Sequence, residues 1–187
     1  SLRLYYQCFG LPLGEAPVVV VNHAFTGNSQ VTGENGWWKE AIGEGKLIDT
    51  LKYTVVAFNI PGNGFGAREE DMISNYEHWA GIDVARIFNQ GLTEHLGLNE
   101  VFALVGCSLG GGIAWEMAAL TPTLFKELVI VAADWKATDW IIGNCLLQEQ
   151  ILKNSTHPLH DARLHAMLCY RTPQSLKMKF ERTTHLP

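Results

Sequence analysis

The sequence predicts an α/β fold, with a parallel sheet that has helices on both faces and a helical cap that follows it. Two near-continuous apolar runs, 16–23 and 53–60, are rich in β-branched residues, as strands covered on both faces are. Between Ile82 and Leu96, apolar residues recur at steps of three and four, which places them on one face of a helix. Strands that alternate with helices predict parallel pairing and a ligand site beyond the carboxyl ends of the strands.

Local signals predict the remaining elements of this core. Gly97 is the predicted stop of the helix that reaches Leu96. The short apolar run 101–105 predicts a strand, and the segment 111–120 that follows it is typical of a helix. A further apolar run, 124–133, predicts the next strand.

After that strand, the sequence carries helical periodicity and no convincing strand pattern. Thr138 can cap a helix, because a threonine hydroxyl accepts hydrogen bonds from the first-turn N–H groups. Thr172, which a proline follows, is a typical start of another helix. We therefore predict two parts, a partial α/β core over residues 1–134 and a helical cap or lid over residues 135–187.

The stretch from Gly106 to Gly110 has the pattern G-x-S-x-G between a predicted strand and a predicted helix. In that context the motif forms a sharp turn that exposes the serine hydroxyl at the end of the sheet. Ser108 is therefore the candidate catalytic nucleophile, and a glycine-rich turn with an ordinary hydroxyl is the alternative. A catalytic Cys107 is disfavoured, because the turn directs the residue before the serine to the interior, where cysteine acts as a small apolar side chain.

Acyl transfer through a serine also needs an oxyanion hole, in which backbone N–H groups bind the oxygen that becomes negative. One donor in this arrangement belongs to the residue after the nucleophile, here Leu109. The second is expected in the loop after an earlier strand, and the segment 23–27 follows an apolar run in that place. Phe25 is the candidate second donor, and an ordinary turn that ends at Gly27 is the alternative.

Composition points to a small-molecule substrate. The 187 residues, 47% of them hydrophobic, can form one domain with a sizeable core. The net charge of -5 and the absence of a dense Lys/Arg block argue against nucleic acid or an anionic membrane as the partner.

No run approaches the about 20 apolar residues of a membrane span and no signal peptide is evident, so we expect a cytoplasmic protein. The four cysteines are spread singly, which predicts free thiols. No histidine and carboxylate cluster has the spacing of a metal site, so none is expected.

Four segments carry a family resemblance: 22–28, 33–38 with its tryptophan pair, 106–111, and 162–172 with an arginine and a tyrosine. Together these segments resemble the homoserine O-acetyltransferase family of α/β-hydrolase-fold enzymes. The tryptophan pair and the late segment with an arginine and a tyrosine are more specific than the serine motif, and the resemblance covers most of the chain in the expected order. Two departures are a cysteine before the serine, where the family usually has glycine, and a leucine after it, where methionine is common.

The resemblance implies an α/β-hydrolase-type sheet and transfer of an acetyl group from acetyl-CoA, through Ser108, to the hydroxyl of L-homoserine in methionine synthesis. The sequence leaves succinyl open as the acyl group and serine open as the acceptor. Acetyl-CoA would be a co-substrate, with no bound cofactor. The resemblance also implies that Arg163 and Tyr170 line the substrate site, with the arginine placed for the amino-acid carboxylate. Their spacing of seven residues puts both on one helical face. The alternative is a solvated arginine and a packing tyrosine.

The motif also requires a histidine base and a carboxylate, which in this fold follow the serine on later strand ends. No such strands are evident, and the segment 181–187 does not resemble the family's acid or histidine segments. We therefore expect the C-terminal strands to be missing, and the chain to be a fragment or truncated product with little or no activity by itself. An open sheet edge would favour a homodimer or other self-association.

No residue within the chain is assigned as a replacement for this base and acid. Asp134 follows a predicted strand, where some enzymes of this fold keep their acid, but it is interpreted as a helix cap. His23 is interpreted as a brace of its turn, and three further histidines lie in the predicted cap. Those three are His157, His160 and His165.

Three other functions are weighed against acyl transfer. A serine esterase shares the nucleophile and differs in using water as the acyl acceptor. Dinucleotide binding would use the glycine-rich segment 62–67, but its glycine spacing is wrong and the carboxylates at 69–71 would face a pyrophosphate, so we interpret it as a flexible loop near the active-site mouth. The third is a binding module without catalysis.

Overall fold

The structure, a computed structural model, describes residues 2–66 and 72–181. The chain divides into two units, residues 1–136 and 137–187. The strands are β1 (Tyr6–Gly10), β2 (Val18–Asn22), β3 (Ile42–Gly43), β4 (Ile48–Asp49), β5 (Thr54–Phe58), β6 (Val101–Cys107) and β7 (Phe125–Val131). The helices are α1 (Gly81–Gln90), α2 (Leu109–Leu120), α3 (Asp139–Asn154), α4 (Pro158–Cys169) and α5 (Pro173–Phe180).

Five strands of the first unit form one sheet in the order β1-β5-β2-β6-β7. Strands β5, β2, β6 and β7 are parallel, and β1 is antiparallel to β5. The predicted α/β class and its four predicted strands are confirmed. The sequence did not predict β1, because this edge strand lacks a continuous apolar run and its five residues alternate between exposed and partly buried.

The larger core lies between one face of the sheet and the helices α1 and α2. Helices α1 and α2 pack there through Phe88 and Met117, which lie against strand residues such as Val20 and Leu104. After α1 the backbone continues through one π-helical turn, Gly91–His95, so the predicted helical face is maintained as far as Leu96.

A loop segment covers the opposite face of the sheet. Val31 and Ile42 are fully buried there, and β3 and β4 form a two-stranded parallel ladder within the segment. This cover differs from the predicted helices on both faces. The reason is local, because Gly33, Gly43 and Gly45 adopt positive φ angles, which a helix cannot include.

The second unit consists of α3, α4 and α5. The Thr138 hydroxyl accepts a hydrogen bond from the backbone N–H of Ile141, and the Thr172 hydroxyl accepts one from the N–H of Ser175, so both predicted caps are present. Helices α3 and α4 pack against each other. Within the described residues, no helix combines the length and the apolar character that crossing a membrane requires.

Candidate active site

Ser108 lies at the sharp turn between β6 and α2. Its backbone angles, φ 52° and ψ −121°, fall in a region that residues with a side chain rarely adopt. Such a conformation costs on the order of 1–3 kcal/mol and is maintained by the surrounding structure. The side chain is exposed and does not cap α2, which leaves the hydroxyl free for chemistry.

The glycines of this turn are required by close contacts. A β-carbon on Gly106 would lie 2.8 Å from the side chain of Ala114, and one on Gly111 would lie 2.6 Å from the side chain of Ala133. A β-carbon on Gly110 would lie 2.5 Å from the carbonyl oxygen of Asn22. Any side chain at these positions would push α2 away from the strands and move the serine.

The hydrogen bonds around the serine fix its backbone to two neighbouring elements. The Ser108 N–H donates to the Val131 carbonyl at 2.9 Å, which ties the turn to the end of β7. The Ser108 carbonyl accepts from the N–H groups of Gly111 and Gly112 at 2.9 and 3.1 Å. The nucleophile is therefore held by the sheet on one side and by the first turn of α2 on the other.

The loop after β2 lies directly against the start of α2. The backbone of Asn22 touches Gly110, and the Asn22 side-chain amide donates to the Gly110 carbonyl at 3.4 Å. In the loop, Gly27 N–H donates to the Ala24 carbonyl at 2.9 Å and closes a turn around Phe25. The structure thus brings the segment with Phe25 next to the helix that begins at Leu109.

Both candidate oxyanion donors have a backbone N–H that the protein leaves available. Leu109 is the first residue of α2, where a helix has no internal acceptor for the N–H. Phe25 N–H has no hydrogen-bond partner among the described residues, and the Phe25 side chain is exposed. Unpartnered backbone donors on two segments that meet at the serine turn are the kind of group that stabilises a tetrahedral oxyanion.

His23 is buried behind this loop, and its ring nitrogens are both engaged. Nδ1 lies 2.7 Å from the Ala24 carbonyl, and Nε2 accepts a hydrogen bond from the Ile60 N–H at 3.0 Å. Since the carbonyl needs a donor and the Ile60 N–H needs an acceptor, the ring is neutral with its proton on Nδ1. Burial lowers the pKa of His23, against a smaller raising effect of the Ala24 carbonyl. His23 braces the turn, as the sequence indicated, and has no nitrogen free to act as the base.

Two asparagines anchor the loop after β5 to the same site, and sequence reasoning missed both. Asn59 is buried, accepts a hydrogen bond from Ser29 N–H at 2.6 Å and donates to the Phe65 carbonyl at 3.3 Å. Asn63 donates to the Gly27 carbonyl at 3.5 Å. The signal that could have found Asn59 is a polar residue directly after a continuous apolar strand.

These contacts hold the described part of the glycine-rich segment, which was interpreted as a flexible loop. Gly62, Gly64 and Gly66 have positive φ angles, and the hydrogen bonds from Asn59 to the Phe65 carbonyl and from Asn63 to the Gly27 carbonyl involve residues of this stretch. Ala67 and the carboxylates of Glu69, Glu70 and Asp71 lie outside the described residues.

The two tryptophans that carry part of the resemblance support the oxyanion loop, the segment 23–27 after β2 that carries Phe25. Trp37 and Trp38 stack with ring centroids 4.8 Å apart and pack against the smaller core of the sheet. The Trp37 indole N–H donates to the Asn28 carbonyl at 2.8 Å. Their observed contacts are therefore structural, and the bond to Asn28 lies directly after the loop that carries Phe25.

Cys107 ends β6 and is half-buried, in agreement with the interpretation of a small packing residue. Burial raises the pKa of its thiol, which disfavours the thiolate that a cysteine nucleophile needs.

Asp134 is exposed and does not cap a helix, which corrects the sequence interpretation. The cap of α3 is Thr138, four residues later, because the chain bends at residues 132 and 135–136 after β7 before the helix begins.

The remaining candidate residues belong to the second unit. Arg163 lies on α4 and Tyr170 is its C-terminal cap, and both side chains are exposed. His160 contacts Asp161 at 3.0 Å, and His157 lies at the amino end of α4. Their roles toward substrate stay predictions. No cluster of histidine, cysteine and carboxylate side chains within the described residues has the geometry to hold a metal ion.

A family model for the alpha/beta hydrolase fold matches residues 17–155. The chain is 27% identical to a homoserine O-acetyltransferase of Methanocorpusculum labreanum over 97% of its own length and 43% of the relative. It is 32% identical to one of Cyclobacterium marinum, over 84% of its own length and 50% of the relative. The crystal structure of homoserine O-acetyltransferase from Staphylococcus aureus superposes with a TM-score of 0.80 at 27% identity, over 96% of this chain and 55% of that one. The chain thus spans about half the length of the curated relatives that it matches.

Proposed function

The chain belongs to the alpha/beta hydrolase fold family, and from this premise we propose that it is the nucleophile-bearing part of an acyltransferase that acetylates L-homoserine. The observation that carries the proposal is the geometry of Ser108, an exposed hydroxyl on a strained turn beside two unengaged backbone donors. Similarity to homoserine O-acetyltransferases over nearly the whole chain supports the choice of acyl group and acceptor. Such an enzyme would act in the cytoplasm, early in methionine synthesis.

In the first half of the proposed reaction, Ser108 Oγ attacks the thioester carbonyl of acetyl-CoA. The N–H groups of Phe25 and Leu109 bind the oxyanion, and collapse of the tetrahedral intermediate releases the CoA thiol and leaves an acetyl-serine. In the second half, the hydroxyl of homoserine attacks that ester, and the product leaves with the acetyl group. The proton that Ser108 loses passes to the CoA sulfur, which leaves as a thiol, and the proton of the homoserine hydroxyl passes to Ser108 Oγ as the ester is transferred.

This reaction needs a histidine base and a carboxylate that orients it. In the described residues of the first unit, the Ser108 hydroxyl has no hydrogen bond to a histidine, and both nitrogens of His23 are engaged. The proposal therefore assigns the base and the acid to residues other than those that form the turn and the oxyanion loop.

For the acceptor, we propose that Arg163 binds the homoserine carboxylate and that Tyr170 lines the same site. A guanidinium can bind a carboxylate through two parallel hydrogen bonds, which an ammonium cannot reproduce. Arg163→Lys is therefore expected to raise the KM for homoserine about tenfold with little change in the amount of acetyl-enzyme formed. Arg171→Lys is the matched control, since it is the same change at another exposed arginine of this unit. Equal effects of the two changes would contradict the role of Arg163.

The deciding experiment is the intact mass of the natural protein, measured with and without acetyl-CoA, next to Ser108→Ala. The proposal expects one acetyl increment that Ser108→Ala lacks and that homoserine discharges. An increment lost equally fast in buffer without homoserine would identify an esterase, which shares this fold and nucleophile. A protein that takes no increment would be a binding module. Succinyl-CoA in parallel decides the acyl donor, and acetyl-CoA is the expected one.

A further inference from the structure

Cys169, the last residue of α4, has a histidine and an asparagine beside its thiol. The sulfur lies 3.9 Å from His165 Nε2, one helical turn earlier, and donates to Asn144 Oδ1 of α3 at 3.2 Å. The Asn144 amide is itself oriented, because its Nδ2 donates to the Trp140 carbonyl at 2.8 Å. The three side chains lie within the second unit and make no part of the serine turn.

One ring nitrogen of His165, Nε2, contacts this sulfur. Its other nitrogen, Nδ1, is buried without a hydrogen-bond partner among the described residues. Nε2 therefore faces the thiol as its polar neighbour, and an imidazole nitrogen at this distance can take the thiol proton. A nucleophile beside a base, with a third group that fixes one of them, is the arrangement that activates a cysteine.

The other three cysteines lack this arrangement. Burial raises the pKa of the thiols of Cys8 and Cys107, which suppresses their thiolates. Cys145 is exposed on α3, like Cys169 on α4, but has no histidine in hydrogen-bond contact among the described residues. Cys145 therefore serves as an internal reference, because its thiol is also exposed and belongs to the same unit.

We propose that Cys169 is a second nucleophilic centre, which His165 activates for exchange with a low-molecular-weight disulfide. The Cys169 sulfur attacks one sulfur of the disulfide, so that a mixed disulfide forms as the original S–S bond breaks. The thiol proton, which bonds Asn144 Oδ1 in the resting state, rotates about the Cβ–Sγ bond to His165 Nε2. His165 takes it and passes it to the departing sulfur, which leaves as a free thiol. The disulfide is the oxidant, and no other reactant is needed. The step uses neither Ser108 nor the proposed oxyanion donors, so its test can fail without bearing on the acyl-transfer proposal.

The test is the rate of mixed-disulfide formation at each cysteine with oxidised glutathione, followed by peptide mass mapping of the full chain. Cys169 is expected to react roughly tenfold faster than Cys145. His165→Gln is expected to bring Cys169 to the rate of Cys145. His160→Gln, on the same helix but in contact with Asp161, is the matched control and is expected to change neither rate.

Two results would overturn the proposal. The first is equal reactivity of Cys169 and Cys145 in the unaltered chain, a comparison that does not depend on how any variant folds. The second is a His165→Gln chain with native helical content in which Cys169 keeps its advantage over Cys145. A faster Cys169 that loses its advantage in His165→Gln alone supports the assignment.

Discussion

The backbone N–H of Ile60 donates to Nε2 of His23 at 3.0 Å, and this bond joins the loop after β5 to the loop after β2. The same ring contacts the Ala24 carbonyl, which closes the turn around Phe25. One neutral imidazole thus supports the backbone that carries a proposed oxyanion donor. An imidazolium could not accept the bond from Ile60, so protonation would break this link.

The stability of the fold is expected to fall as the solution is acidified through the range below pH 6.5. The unfolded chain protonates His23 at its ordinary pKa of about 6.5, whereas burial holds the pKa of the folded-state ring lower. In that window the unfolded state binds more protons, so the free energy of unfolding decreases by at most about 1.4 kcal/mol per pH unit from this group. Denaturant midpoints at pH 7.5 and 5.5 measure the loss.

A glutamine at position 23 separates this effect from those of other titrating groups. His23→Gln is expected to be less stable at pH 7.5, because its amide cannot reproduce both bonds of the ring, but to lose less stability on acidification. His78→Gln, at an exposed position, is the control and should keep the pH dependence of the unaltered chain. Identical acid sensitivity in all three chains would exclude His23 as the responsible group.

The strained turn makes a prediction about the nucleophile itself. Ser108→Gly is expected to stabilise the fold by about 1 kcal/mol relative to Ser108→Ala, because glycine adopts a positive φ of 52° without a steric cost. Neither variant can accept an acetyl group. Thermal or denaturant unfolding of the pair measures the difference, and a glycine variant no more stable than the alanine variant would mean that the turn is not strained.

The sequence predicted those features that short segments determine. Continuous β-branched runs were enough for β2 and β5, and the hydroxyls of Thr138 and Thr172 were enough for two helix starts. The serine turn was predictable because its glycines and its flanking elements are adjacent in the chain.

Contacts between distant segments were not predictable in the same way. His23 and Ile60 are 37 positions apart, and only the parallel pairing of β2 with β5 brings them together. Strand β1 forms by antiparallel pairing with β5, since its own residues contain no continuous apolar run. Asp134 was assigned as a cap from its position after a strand, but the chain runs on to Thr138 before a helix can begin.

The outer edge of β7 is expected to mediate self-association, which we propose for this chain. Strand β7 is last in the sheet, its outer edge is unpaired among the described residues, and its Val129 side chain is 45% exposed. Val129→Lys should shift the chain toward monomer in sedimentation or size-exclusion experiments. Leu47→Lys adds the same charge at an exposed position away from β7 and should leave association unchanged. A monodisperse monomer of the unaltered chain would contradict the proposal.

The approach of β2 to α2 predicts opposite effects for two glycines that are two residues apart. A β-carbon on Gly110 would lie 2.5 Å from the Asn22 carbonyl oxygen and even nearer to that of His23, so Gly110→Ala must separate the helix from the oxyanion loop. Gly112 has open space where its β-carbon would lie, and alanine favours a helix more than glycine does.

Gly110→Ala is therefore expected to destabilise the fold by about 2 kcal/mol, and Gly112→Ala to stabilise it by about 0.5–1 kcal/mol. The two changes should also differ in acetyl-serine formation by the natural protein, because only the first displaces Phe25 from Leu109. Unfolding curves and intact mass after exposure to acetyl-CoA measure both effects. A Gly110→Ala protein with unchanged stability and full acetylation would mean that β2 and α2 are not in the contact on which the proposed oxyanion hole depends.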